Sequence, residues 1–188
     1  MPGQAKILTP SEIKTVFTVL KNDRDRALFA LGIYSGLRIG EIITLKRNQL
    51  FTKEGGVRHT LKVVRLKRKT TVYSDIPIHP KLRDRLDAYR KDSAGDRSKW
   101  LFPSDDSETG HLERVRAHYI LRAAFDALNL QDASTHSMRR TCLTNMSRAG
   151  IPLRTIQEIS GHASLGQLQE YLAVDPADKH KAISVLRY

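Results

Sequence analysis

Cysteine occurs once in the 188 residues, at Cys142, so no disulfide can close within the chain. A lone thiol holds no metal without several well-spaced His or acidic partners, and a reducing compartment such as the cytoplasm fits it best. Nowhere does an apolar run approach the roughly 18 residues that a membrane-spanning helix needs, which excludes that class and leaves a soluble globular chain. The start, MPGQAKILTP, has neither the apolar core of a signal peptide nor an Arg-rich amphipathic pattern. Internal repeats and low-complexity tracts are absent too. At about 150 residues per domain, the length implies one domain or one with a modest extra lobe.

Acidic residues are also in short supply. Twenty Asp and Glu face 32 Lys and Arg, a formal charge of +12 that points to a polyanionic partner. Residues 46–69 hold nine of these cations (Lys46, Arg47, Lys53, Arg58, Lys62, Arg65, Lys67, Arg68 and Lys69) against the single acid Glu54. A solvated basic face is one reading of such a run. Nucleic acid is the sharper one, because phosphates reward clustered cations through counterion release.

Local signals predict mostly helix with one small sheet. Thr9, Pro10 and Glu12 form a helix start, with Thr9 as cap and Pro at the first helical position, and the helix should reach about Leu20. After a polar break at Asn22–Asp25, Arg26–Tyr34 is apolar nearly all round and reads as a core helix. A short helix should follow from Arg38 to Lys46. Residues 57–66 and 71–78, rich in Val, Ile and Thr, read as an antiparallel pair with the basic residues 65–69 at its tip. Further helices are expected from Pro80 to Lys91, from Arg114 to Leu128, after Ser134 and Thr135 up to Gly150, from Pro152 to Gly161, over Leu165–Leu172, and from Pro176 towards Tyr188.

Among chemistry-bearing residues, His136 and Arg139 stand three apart on one helical face that Leu143 and Met146 continue inward. Alone, that spacing occurs often by chance and more commonly marks a surface pair. Gly161-His162 follows a helix end, Tyr171 comes nine residues later, and a lone His or Tyr is more often structural than catalytic. Arg38 sits in the polar island SGLRIGEI directly after the core helix, where a buried arginine must find an anion, and Glu41 one turn away could hold its guanidinium.

Four blocks in this order, SGLRIGEI at 35–42, KTTVYSDIP at 69–77, HSMRRT at 136–141 and GHASLGQLQEY at 161–171, resemble the catalytic domain of the tyrosine recombinases, also called the phage integrase family. The resemblance extends over about residues 8–175. It implies that Tyr171 is the nucleophile that forms a covalent 3′-phosphotyrosyl intermediate with DNA and releases a 5′-hydroxyl. By the same resemblance, Arg38 and Arg139 clamp the non-bridging phosphate oxygens, His136 is an acid/base or phosphate ligand, and His162 is the second histidine. Lys69 would protonate the leaving oxygen, with Lys67 as the substitute, and Glu41 would support the first arginine. Lys46, Arg47, Arg65, Lys67, Arg68 and Arg140 are the expected DNA-backbone contacts. Met138 and Arg140 stand where the family commonly has Leu and His.

The chemistry agrees with the residue types. A phosphodiester gains charge on its equatorial oxygens in the transition state, so preorganised guanidiniums and imidazoles stabilise it in place of a metal, and the covalent ester conserves bond energy without ATP. The expectation is therefore a mainly α, small-sheet (α+β) catalytic domain over residues 1–188, without the helical DNA-clamping domain that usually precedes it. It would act as a site-specific DNA recombinase with no cofactor, no metal and no membrane association, as a homotetramer on double-stranded DNA in the cytoplasm, associated with the nucleoid. The tail 173–188 would pack on a neighbouring protomer or on its own domain. A type IB topoisomerase and a non-catalytic DNA-binding regulator of the same fold are the alternatives.

Overall fold

Reciprocal capping opens the first helix. Thr9 Oγ1 accepts from the Glu12 backbone N–H at 3.2 Å while Glu12 Oε2 accepts from the Thr9 N–H at 2.8 Å, and α1 runs over Pro10–Val19. This computed structural model describes residues 4–67, 70–93, 98–172 and 183–184, with the backbone alone for 66, 67 and 70–73. The core helix α2 spans Asp23–Ser35, starting earlier than its apolar run. Asn22 Oδ1 accepts from the Asp25 N–H at 2.8 Å, and Asp23 and Asp25 face the positive helix end, so the polar stretch is the first turn of the helix and not a break before it. Every residue from Ala27 to Ile33 is buried, as an all-round apolar helix demands. It ends at Gly36 in the left-handed region, φ 66°.

A short α3 (Ile39–Ile43) and a 3₁₀ turn (Arg47–Gln49) lead to the sheet. β1 (Thr60–Lys67) and β2 (Thr70–Pro77) pair antiparallel, in register from Thr60 opposite Pro77 to Lys67 opposite Thr70. Val57 and Arg58 are excluded from β1 because they pair back, Val57 bridging to Phe51 and the Arg58 N–H donating to Leu50 O at 2.7 Å. Arg65 is not at the hairpin tip. It lies within β1 opposite Val72, and alternation puts it on the buried face with Leu61 and Val63. Arg68 and Lys69 lie outside the described residues, as does the Lys67 side chain.

α4 (Pro80–Asp92) packs along α2, followed by α5 (Arg114–Asp126), α6 (Thr135–Arg148), α7 (Leu153–Ser160) and α8 (Leu165–Tyr171). Of the tail helix expected after Pro176, only Ile183 and Ser184 are described, and both are helical. Among the described residues no helix is long and apolar enough to cross a membrane.

Two apolar clusters hold these elements. The larger surrounds α2, where Phe29 meets Phe17 and Phe125 edge-on at 5.0 and 6.4 Å between ring centroids. A smaller one, Leu143, Ile156 and Leu168, docks α7 and α8 onto α6. α2 and α6 cross so closely at Gly32 that a Cβ there would stand 2.6 Å from Met138 Sδ. Gly32→Ala should therefore cost about 1–3 kcal/mol by overpacking. In contrast, Gly40→Ala, whose Cβ meets nothing within 4 Å, should be neutral or stabilise by up to about 1 kcal/mol. Urea unfolding midpoints of the two variants check the contrast.

Candidate active site

Arg139 is the most deeply placed charge of the site, 2% exposed on the inner face of α6. Three of its five N–H donors are held by fixed acceptors: Nη1 donates to Gly36 O at 2.6 Å, and Nη2 donates to Ser160 O at 2.8 Å and to His162 Nε2 at 3.2 Å. Gly36 O is available because α2 has just ended there. Burial, and then the nearby Arg38, push the Arg139 pKa down to about 10, which leaves it charged at neutral pH.

These contacts assign the His162 tautomer. A guanidinium only donates, so Nε2 accepts, and Nδ1 carries the proton and donates to Ser160 Oγ at 2.8 Å. Ser160 Oγ in turn donates to Gln157 O at 3.3 Å. Burial first, then Arg139, Arg38 and Arg65, push the His162 pKa down to about 4, so the ring is neutral at pH 7. Tyr171 lies against this pair, its ring centroid 5.5 Å from that of His162 and 5.8 Å from the Arg139 guanidinium carbon. Its Oη donates to the backbone carbonyl of His136 at 3.4 Å. Burial raises the Tyr171 pKa despite the opposing pull of Arg139, Arg38 and Arg140, and the group is a neutral phenol.

Arg38 departs from expectation: it is exposed, its side chain 46% accessible, and its guanidinium stands 3.9 Å from Glu41 Oε1. Glu41 instead accepts the Arg38 backbone N–H at 2.8 Å, and its near cation is Arg65, whose Nε donates to Oε1 at 3.0 Å. Arg65, expected to face DNA, is 7% exposed and also donates to Glu158 O at 3.3 Å and Ile159 O at 2.7 Å. Strand alternation turned it inward, and the acceptors it found there withdraw it from the surface. Arg140, half-buried, binds the N-terminal segment through Ala5 O at 2.6 Å and Gln4 Oε1. Arg47 lies over the Phe51 ring at 5.4 Å and donates to Ser93 Oγ at 3.2 Å, whereas Lys46 is exposed.

Arg38, His136, Arg139, His162 and Tyr171 thus gather around the start of α6, and Lys69 lies outside the described residues. Two cavities flank that helix end. One of about 280 Å³ is lined by Arg38, Glu41, Thr135, His136, Arg139 and Arg114; the other, about 470 Å³, by Tyr171, Glu170, Arg140 and again His136. His136, exposed at its tip, therefore stands between the arginines and the phenol. Partial burial and the guanidiniums of Arg114, Arg139 and Arg38 hold its pKa below the ordinary imidazole value. Arg114 was missed by sequence reasoning, since an arginine in the first turn of α5 carries no local mark and only tertiary packing brings it here. Among the described residues no three His, Cys, Asp or Glu side chains gather as a metal site.

Residues 6–178 match the phage integrase family. Over 155 residues the chain is 34% identical to tyrosine recombinase XerC of Rhodospirillum centenum, an alignment that takes in 81% of this chain and 43% of that protein. It therefore spans less than half the length of that relative. The crystal structure of XerA recombinase superposes with a TM-score of 0.79 at 22% identity, over 100% of this chain and 68% of that one. The Tn1549 transposon integrase, solved in complex with circular intermediate DNA, gives 0.74 at 16% identity over 97% of this chain and 65% of its own. At these identities the two structures establish the fold: mainly helical, with a small antiparallel sheet.

A neutral buried His162 makes stability depend on pH. Between pH 6.5 and 4 the unfolded chain binds a proton that the folded ring does not, so stability falls as pH drops through that window. One such group contributes at most about 1.4 kcal/mol per pH unit. His162→Gln, which keeps an acceptor for Arg139, should flatten the curve, and urea unfolding at pH 7, 6 and 5 reads the difference.

Proposed function

Because the chain belongs to the phage integrase family, we propose that it is a site-specific DNA recombinase that cleaves and rejoins strands through Tyr171. The observation that carries the reading is the gathering of two guanidiniums, two neutral imidazoles and a neutral phenol around one helix end, next to a cavity of about 280 Å³. In this reading a scissile phosphate enters beside Arg38 and Arg139, with Arg114 as a third cation. Tyr171 Oη attacks phosphorus, the Oη–P bond forms and the P–O5′ bond breaks, leaving a 3′-phosphotyrosyl ester and a free 5′ end. The phenol proton passes to a base, a role proposed for the neutral His136, and the departing O5′ takes a proton from Lys69. Attack by the 5′-hydroxyl of a second strand reverses each step, so the bond energy is retained and no ATP is consumed.

The guanidiniums supply the charge that metal ions bring to other phosphoryl-transfer sites, and the reading places no metal in the reaction. Lys46 and the hairpin cations Lys67 and Arg68 are proposed to touch the DNA backbone, with Arg65 withdrawn from that set. The partner is proposed to be double-stranded DNA, and the Tn1549 integrase neighbour, solved in complex with circular intermediate DNA, supports a DNA partner. Assembly is proposed as four protomers on DNA, each supplying one tyrosine, in the cytoplasm.

A duplex carrying the cognate site, nicked beside the scissile phosphate, should trap a denaturant-stable adduct that Tyr171→Phe abolishes. Arg38→Ala, at an exposed position, should slow adduct formation about 10- to 150-fold, the worth of one charge-assisted hydrogen bond. Lys46→Ala should lower the slope of log affinity against log salt by about one. Salt-sensitive binding to the cognate site with no adduct would overturn strand transfer in favour of a non-catalytic DNA-binding protein.

A further inference from the structure

Glu41 is surrounded by three guanidiniums but bonds closely to only one. Oε1 accepts from Arg65 Nε at 3.0 Å, whereas Arg38 Nη1 stands 3.9 Å from Oε1 and Arg139 Nη1 stands 3.9 Å from Oε2. The two longer separations are beyond hydrogen-bond reach. Oε2 accepts the Arg38 backbone N–H at 2.8 Å, so both site arginines feel the carboxylate charge while neither guanidinium gives it a donor. A carboxylate displaced by about 1 Å would reach either of them.

Arg65 is built not to let go. Its fork is planar, so donation by Nη1 and Nη2 to Glu158 O and Ile159 O, at 3.3 and 2.7 Å, fixes the direction of Nε toward Glu41. A second feature preserves that arrangement. A Cβ on Gly161 would stand 2.5 Å from Arg65 Nε and 2.6 Å from its Cδ, so the bare α-carbon with its φ of +68° is what lets the guanidinium lie there.

On the strand-transfer reading above, we infer that Arg65 is a positioning residue that holds the Glu41 carboxylate off Arg38 and Arg139, keeping their donors for a phosphate. Arg65 touches no substrate in this account. Its loss would release a carboxylate into the phosphate pocket as a competing anion, and the damage would come from Glu41, not from the missing cation. A residue that merely capped α7 would behave differently, because neutralising Glu41 would then repair nothing.

The test is a double-mutant cycle on single-turnover adduct formation with the nicked duplex. Arg65→Met should slow the reaction about 10- to 100-fold, and adding Glu41→Gln should restore most of the rate without restoring the melting temperature. A slow Arg65→Met that Glu41→Gln does not rescue, or an Arg65→Met as fast as the unmodified protein, overturns the inference. If the methionine variant does not fold, Arg65→Lys takes its place: it keeps a cation beside Glu41 and should stay within about fivefold of the unmodified rate despite a lower melting temperature, and a loss beyond tenfold in the folded protein overturns the inference. Titration with inorganic vanadate, followed through the arginine Nε–H resonances, reads the clamp without turnover. Affinity should fall in Arg65→Met and recover in the double variant, and unchanged affinity overturns the inference. A protein that forms no adduct at all fails the strand-transfer reading, while the vanadate series still decides the role of Arg65.

Discussion

Helix α7 ends at Ser160 with carbonyls that its own backbone cannot satisfy, and buried guanidiniums meet most of them. Gln157 O accepts from the Gly161 N–H, Glu158 O and Ile159 O accept from Arg65, and Ser160 O accepts from Arg139. Removing two guanidiniums from water costs several kcal/mol each. The negative end of the helix and the Glu41 carboxylate offset that cost, since charge-assisted bonds to fixed acceptors are the strong kind. The same bonds tie Gly36 at the end of α2, Glu41 on α3, strand β1 and helix α6 to one point. Geometry at the site follows from how that helix end is satisfied.

Burial first, and then the crowding of cations, sets the protonation states of the two imidazoles. Arg139 and Arg38 disfavour protonation of both His136 and His162, with Arg114 adding to the first and Arg65 to the second. The same cations pull on Tyr171, but burial outweighs them and the phenol stays neutral. An assembly of guanidiniums with neutral imidazoles and a neutral phenol holds a surplus of positive charge, and a phosphate monoanion relieves it. Charge gained by equatorial oxygens in a transition state would relieve it further, which is how preorganised cations favour that state over the ground state.

The nucleophile and the arginine clamp rest on different supports. Arg38 and Arg139 belong to elements packed into the large core around α2, whereas Tyr171 sits on α8, which docks through the small cluster of Leu143, Ile156 and Leu168. The nucleophile is thus held by fewer buried apolar contacts than the clamp. The chain start joins the same neighbourhood: the Leu8 N–H donates to Thr141 Oγ1 at 2.8 Å, and Arg140 grips Ala5 O.

Elements whose causes lie within four residues could be read from the sequence alone. The Thr9–Glu12 capping box, the all-round apolar face of α2, the stop at Gly36 and the starts of α4 and α6 are of this kind, and so is the His136–Arg139 pair on one helical face. The resemblance placed the rest of the candidate site in sequence, and the fold brought its described members together. Arg65 and Arg114 were beyond reach of such signals. Arg65 meets Glu158 and Ile159 across 93 and 94 residues of chain, and whether a strand arginine points to water or to a helix end depends on where that helix arrives. Glu41 likewise had a cation three residues away in sequence and chose another on a different element. Sequence by itself determined the helices, their caps and the types of group available for chemistry; tertiary structure alone decided which guanidinium is buried, which stays free for an anion, and which carboxylate holds them apart, because a long side chain takes its partner from what packs beside it in space.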